Sequence, residues 1–193
     1  MPLSDHLGTV GRRAIRSQQA LLSAAISLVT RGDKLTVAAL AQESALTRQT
    51  IYSHYPDAAA VLLAATEDLI RREVPHDADT AWPSDKPPAV LGALTRHLWS
   101  HRQFYRQVIQ SPVARQVGQT LNGYFRPGTR RRVGEEYGSQ LPATVLEDMT
   151  LFILAGIGAL LEDRILDPHD ESPEDAAMRC WRAAHAPSAR PAT

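Results

Sequence analysis

The 193-residue chain has little cysteine, little lysine and no net charge, and each shortage removes a class of protein. Cys180 is the single cysteine, so no disulfide can form within the chain, and a thiolate zinc site has no second thiolate to build on. Lys34 and Lys86 are the only lysines, so arginine carries almost all the positive charge, which reads first as base composition of the gene. Lys and Arg total 21 and so do Asp and Glu, which excludes a blanket polycation for nucleic acid or membrane. Long hydrophobic runs are missing too. The longest, Met149 to Leu161, is too short to span a bilayer and is flanked by acids. The run Ala20 to Val29 follows Arg12, Arg13 and Arg16, but Arg31, Asp33 and Lys34 come next instead of a small-residue cleavage site. Ile15, Leu22, Ile26 and Val29 fall on one helical face, so the run reads as a helix and not a signal peptide. A soluble, cytoplasmic protein without a membrane partner is the expectation.

Catalytic sets are absent as well. There is no Gly-rich phosphate loop, no nucleophile elbow, no HExxH and no Cys/His pairing. Glu147-Asp148 and Glu162-Asp163 are neighbours, which in a helix point about 100° apart and make poor acid/base dyads. No enzyme, no catalytic residue and no cofactor are expected. His97 and His101 are four apart and share a helix face, but no cysteine or carboxylate motif lies beside them in sequence, so no metal is expected either.

What is present is helix. Alanine and leucine dominate, ordinary globular composition rules out disorder, and no β-branched alternation stands out. About nine helices can be drawn, an all-α chain. The first runs from about Arg12 to Thr30 and ends at Gly32. Thr36 caps a short second helix with Val37, Leu40 and Ala41 inward. A third starts at Thr47 and stops before Pro56, and a fourth starts after Asp57 with Val61, Leu62, Ala65 and Leu69 in phase. Residues 74 to 89 hold four prolines and three aspartates and read as a loop, with Trp82 a lid or without a role. A fifth helix carries Leu91, Leu94 and Leu98. Pro112 starts or kinks a helix, and Pro127-Gly128 is expected to interrupt one. Thr144-Val-Leu-Glu147 reads as a capping box for a helix reaching about Leu166. That helix is apolar on two sides, through Val145, Met149, Phe152, Ile153, Gly156 and Leu160, and through Leu151, Leu154, Ile157, Leu161 and Ile165. Ser172-Pro173-Glu174-Asp175 opens the last helix, with Ala177, Cys180, Trp181 and Ala184 as one stripe.

Residues 35 to 56, LTVAALAQESALTRQTIYSHYP, carry the functional signal. Two short helices around a tight turn at Ser44, Ala45 and Leu46 match a helix-turn-helix, whose second helix can enter the major groove. Ile51 and Tyr55 can dock it, leaving Thr47, Arg48, Gln49, Thr50, Ser53 and His54 outward, all hydrogen-bonding and none acidic. Arg can bridge guanine O6 and N7, and Gln can bridge adenine N6 and N7, which favours Arg48 and Gln49 as base readers. Thr50 offers a hydroxyl and a methyl. Tyr52 and His54 can hold phosphates from the side, and Thr36 sits at a second helix N-terminus that attracts phosphate.

The stretch resembles the N-terminal domain of TetR/AcrR-type transcriptional repressors over about residues 13 to 69. Ala24-Ala25, Thr36-Val37, Leu40-Ala41, Leu46-Thr47, Ile51-Tyr52, His54-Tyr55 and Val61-Leu62 carry the resemblance, in order and without gaps. Two positions depart from it. Ala45 stands where the family usually has glycine in the turn, and Ala58 where it usually has a lysine at phosphate. The resemblance implies a helix-turn-helix domain over 1–56, a connecting helix over 57–73 and a C-terminal helical dimerisation and ligand-binding domain over 74–193. It implies a homodimer, a near-palindromic double-stranded DNA operator and a small-molecule effector that releases the repressor. A ligand-independent regulator, an activator, or an all-helical carrier or enzyme are the other readings.

For the pocket, Trp99, Phe104, Tyr105, Tyr124, Phe125 and Phe152 are the candidates, with His97 and His101 nearby. For the dimer interface they are Ile153, Gly156, Ile157, Leu160, Ala177 and Trp181, with Ala155, Gly158 and Ala159 allowing close approach. Arg130 to Arg132 precede Glu135 and Glu136, so they read as a salt-bridged solvated face. Cys180 beside Trp181 reads as a packed thiol. The zero charge splits unevenly: residues 1 to 56 hold six bases and three acids, +3, and the rest 15 bases and 18 acids, −3.

Overall fold

A computed structural model describes residues 4–75, 86–137, 141–167 and 170–185; Trp82 and most of the expected 74–89 loop lie outside them. Nine helices make up the described chain: α1 (Ser4–Thr30), α2 (Val37–Ser44), α3 (Arg48–His54), α4 (Ala58–Glu73), α5 (Ala89–Ser100), α6 (Arg102–Ile109), α7 (Ala114–Tyr137), α8 (Ala143–Leu166) and α9 (Pro173–His185). No strand occurs among the described residues.

Short polar side chains start several of these helices. The Thr36 and Thr47 hydroxyls accept from the N–H groups of Ala39 and Thr50, both at 3.1 Å, and the Asp57 carboxylate accepts from Ala60 at 2.8 Å. Ser172 accepts from Asp175 N–H at 3.1 Å and donates to its carboxylate at 2.7 Å. Each satisfies a helix donor that would otherwise have no partner.

Two apolar cores form. The first joins Leu21, Ala25 and Leu28 of α1 to Leu40 of α2, Ile51 of α3 and Val61 and Ala65 of α4. The second gathers Leu69 and Ile70 of α4 with Leu91, Leu98, Phe104, Val108, Val117, Leu161, Ile165 and Trp181 from α5 to α9. α4 feeds both, because Val61 and Ala65 lie at its start and Leu69 and Ile70 at its end. Outside the first core, Arg31 ties α1 to α2: it forks onto both Glu43 oxygens at 3.0 Å and donates to Asp33 at 2.9 Å. Those bonds, Glu43 first and Asp33 second, push the guanidinium further above its ordinary range, and Arg31 holds the Glu43 carboxyl below its own.

Three expectations need correction. α1 begins at Ser4 and not near Arg12. Pro127 lies inside α7 without interrupting it. A mid-helix proline forfeits one backbone bond, and the pairing of α7 with α8 along their length carries the helix through. The Thr144–Glu147 capping box does not form. α8 starts two residues earlier, behind Pro142, with no side-chain cap. Glu147 is taken instead by Arg126 and Arg130 of α7, and this holds its carboxyl below the ordinary range.

Candidate functional site

The helix-turn-helix is built around one buried side chain. Ile51 is fully buried in the first core and fixes the rotation of α3. The Tyr55 hydroxyl adds a second hold, accepting from Gln18 of α1 at 3.0 Å. With that rotation set, Arg48, Gln49, Tyr52 and Ser53 are exposed, and Thr50 and His54 half-buried. Tyr52 is 57% exposed, unusual for an aromatic that has no internal duty. Thr47 and Thr50 are committed locally, with their hydroxyls 2.9 Å apart, and Ser53 donates to Thr50 carbonyl at 2.7 Å. Arg48 and Gln49 make no such bond among the described residues, so their donors stay available. Thr36 stands at the start of α2, its hydroxyl already capping.

The turn before α3 is left-handed at Ala45, φ 54 and ψ 30. Leu46 N–H reaches Ala41 carbonyl at 3.2 Å and Ala45 N–H reaches Gln42 at 3.4 Å, a Schellman closure. The turn therefore keeps the left-handed shape with alanine in place of glycine.

In the second core, a cavity of about 470 Å³ opens between α5, α6, α7, α8 and α9, within the range of small-molecule sites. Leu91, Leu94, Leu98, Val108, Leu121, Ile157, Leu161 and Trp181 give it apolar walls, and Tyr105, Arg115, Asn122, Thr129 and Glu162 are its polar groups. Of the eight expected pocket residues, Tyr105 and Phe125 line it. Phe104 is sealed in the core, and Tyr124 donates to Val74 carbonyl at 3.0 Å beside a groove between α4 and α7. Trp99 donates to Glu171 carbonyl at 2.9 Å under the Arg102 guanidinium. Phe152 points outward, 73% exposed. One residue of helix phase, about 100°, separates Phe104 from Tyr105 and Phe152 from the cavity-lining Ile153. The α5 stripe of Leu91, Leu94 and Leu98 was the sequence signal for the wall.

His97 and His101 lie off the cavity, joined by a residue that sequence spacing did not suggest. Glu73, the last residue of α4, places Oε2 2.9 Å from His97 Nδ1 and 2.8 Å from His101 Nε2. The carboxylate missing beside the histidines in sequence comes from a helix 24 residues upstream. Tyr105 hydroxyl meets His97 Nε2 at 2.7 Å. Burial pushes His97 below its ordinary pKa against the pull of Glu73. Burial works to raise Glu73, and the bonds from His101 and His97 outweigh it and hold the carboxyl low. Burial, then the Glu73 charge, raises the Tyr105 phenol.

On α8, Gly156 is exposed, and Ile153, Ile157 and Leu160 half-buried, with Ile153 and Ile157 on the cavity. Ala177 and Trp181 are 1% and 4% exposed, packed inward where α9 meets α5. They are therefore internal to the chain and offer no free surface. Val145, Leu151 and Phe152 are the large apolar residues α8 leaves exposed. By length and composition α8 could cross a membrane. Its charge-free stretch, the thirteen residues Met149 to Leu161, rises only about 20 Å against a bilayer core of about 30 Å.

No family model matches the chain, and no curated protein matches it. Solved structures do. A TetR transcriptional regulator from Rhodococcus sp. RHA1 is similar at a TM-score of 0.52 and 20% identity, over 94% of this chain and 99% of that one. A candidate transcriptional regulator from Pseudomonas aeruginosa PAO1 is similar at 0.53 and 19% identity, over 90% of this chain and 93% of the other. The chain therefore has the all-α fold of these proteins along nearly its whole length.

Proposed function

We propose that the chain is a TetR-type transcriptional regulator that binds a near-palindromic operator as a homodimer and is released by a small molecule. The exposed, non-acidic face of α3 carries this reading: Arg48 and Gln49 stand uncommitted on a helix whose rotation Ile51 locks. Arg48 and Gln49 read base edges, Thr50 adds a methyl, and Thr36, Thr47, Tyr52, Ser53 and His54 hold phosphates and sugars. Two α3 helices in successive major grooves set half-sites about one turn apart. The protein works in the cytoplasm, and no enzymatic role is proposed.

The bare side of α8 supports the homodimer. A Cβ added at Gly156 would meet nothing within 4 Å, so packing within the chain does not require this glycine. It costs a helix about 1 kcal/mol relative to alanine, and close approach of a second α8 gives that cost a use. The cavity supports an apolar or amphipathic effector, which acts only through its different affinity for the two states. A coupling of about 2–3 kcal/mol lowers operator affinity about 30- to 150-fold.

Footprinting on the DNA flanking the gene tests the reading. Wild type should protect a near-palindrome at moderate salt, and Arg48→Ala and Gln49→Ala should each lose about 1–3 kcal/mol of discrimination at one base pair. Protection no better than on unrelated DNA overturns the regulator. Unchanged preference in both variants overturns the choice of base readers.

A further inference from the structure

We infer that Glu73, His97 and His101 form a binding site for a divalent transition-metal ion at the junction of α4 and α5. One donor atom from each residue lies within 4.8 Å of the other two. The histidines come from the last turn of α5 and from the residue that ends it, and the rings stand 4.9 Å apart. The carboxylate comes from the last position of α4. Two imidazoles and one carboxylate suit Zn²⁺ and its neighbours and disfavour Mg²⁺ and Ca²⁺, which prefer all-oxygen shells.

The surroundings prepare these donors. Arg71 and Arg72, the cations next to Glu73, pair with Glu67 and Asp68, so the carboxylate is left to the two imidazoles. The His97 side chain is 2% exposed and held from behind by Tyr105, which fixes the ring with Nδ1 toward Glu73. A bond of that kind on the far nitrogen is the usual second partner of a ligating histidine. The Glu73 and His101 side chains are 39% and 27% exposed, so one side is open for the ion to enter and for water to complete the shell. Zn–N and Zn–O bonds of about 2.0–2.1 Å set tetrahedral ligands about 3.3 Å apart. Glu73 now sits at 2.8 and 2.9 Å from the nitrogens. A shift of about 0.5 Å by this half-exposed side chain brings the carboxylate oxygen to that spacing.

Loading moves protons without net release from two neutral imidazoles. Each ligating nitrogen gives up its hydrogen, and each ring keeps one on the opposite nitrogen. His97 Nε2–H then donates to the Tyr105 oxygen, and the phenol proton turns elsewhere. Tyr105 also lines the 470 Å³ cavity, so the ion changes what one of the few polar cavity groups can donate. The site does not depend on the DNA-binding reading, since it concerns metal binding by the chain alone.

Zinc chloride titrated calorimetrically into tag-free, metal-stripped full-length protein tests the proposal. Co²⁺ follows as a spectroscopic probe of tetrahedral nitrogen–oxygen ligation. The expected result is one ion per chain. Affinity should fall at least about 100-fold in His101→Ala and in Glu73→Gln, and about tenfold in Tyr105→Phe, with unchanged helical circular dichroism. His101 and Glu73 are the exposed members, so these variants are read in folded protein. Absence of zinc heat above the buffer blank overturns the proposal. Binding undiminished in both His101→Ala and Glu73→Gln overturns it as well, since the ion would then sit elsewhere.

Discussion

Gly32 and Ala45 close two helices in the same way and at different cost. After α1, Asp33 N–H bonds Leu28 carbonyl and Gly32 N–H bonds Val29, both at 3.0 Å, with φ 77 at Gly32. After α2 the same pair of bonds is made around φ 54 at Ala45, the only positive φ on a non-glycine residue among those described. A Cβ in that region costs about 1–2 kcal/mol, part of which glycine would return as entropy in the unfolded chain. Ala45→Gly should therefore raise stability by about 0.5–1 kcal/mol in urea unfolding, with no change in helix content. A loss of stability would mean the Ala45 methyl makes a contact worth more than its strain. At Cys180, burial, then the Glu171 charge, pushes the thiol up to about 11. At pH 8 only about one molecule in a thousand is thiolate, and the group is enclosed. Iodoacetamide should leave the native protein unmodified and label it in denaturant, as read by mass spectrometry. Rapid native labelling would show that the α9 stripe opens readily.

Where a helix begins depends on nearby chemistry, and where its faces point depends on distant partners. Thr36, Thr47, Asp57 and Ser172 announce helix starts because a cap hydrogen-bonds only two or three residues ahead. Ile51 is legible for a similar reason, as the apolar member of a short polar helix. Thr144 and Glu147 hold the same kind of signal and mislead, because Arg126 and Arg130 compete for Glu147 from another helix. Ala177 and Trp181 form a stripe that sequence can see, but the core they pack against, on α5, lies about 80 residues away. Glu73 is invisible beside His97 and His101 until α4 and α5 meet. α8 poses the remaining question at this scale, because both its faces are apolar and one is bare. Phe152, 73% exposed, lies on the bare side. Replacing it by aspartate costs the isolated chain no more than about 0.5 kcal/mol. In a symmetric pair it brings two carboxylates to one seam. Phe152→Asp should lower the mass in light scattering from twice 21.2 kDa to 21.2 kDa with helicity retained. A wild type already monomeric, or a variant still dimeric, removes α8 as the seam.

At the scale of the whole molecule, the zero net charge is a separation. The first 56 residues carry +3 and the remainder −3. The ion pairs show which charges are already engaged. Arg31 is held by Glu43 and Asp33, so one of the six bases of the head is engaged within the protein. The other five bases of the head are Arg12, Arg13, Arg16, Lys34 and Arg48. A dimer then offers ten at most, and about 0.9 counterion is released per neutralised phosphate. The slope of log Kobs against log salt should accordingly be no steeper than about −9. Arg31→Ala should weaken the α1–α2 contact and leave that slope unchanged, since Arg31 meets no phosphate. A slope shallower by about two units in Arg31→Ala, one phosphate for each protomer, would show that DNA pulls Arg31 away from Glu43. In that case the basic head would remake its own ion pairs on binding, and affinity would come at the expense of the contact that holds α2 against α1.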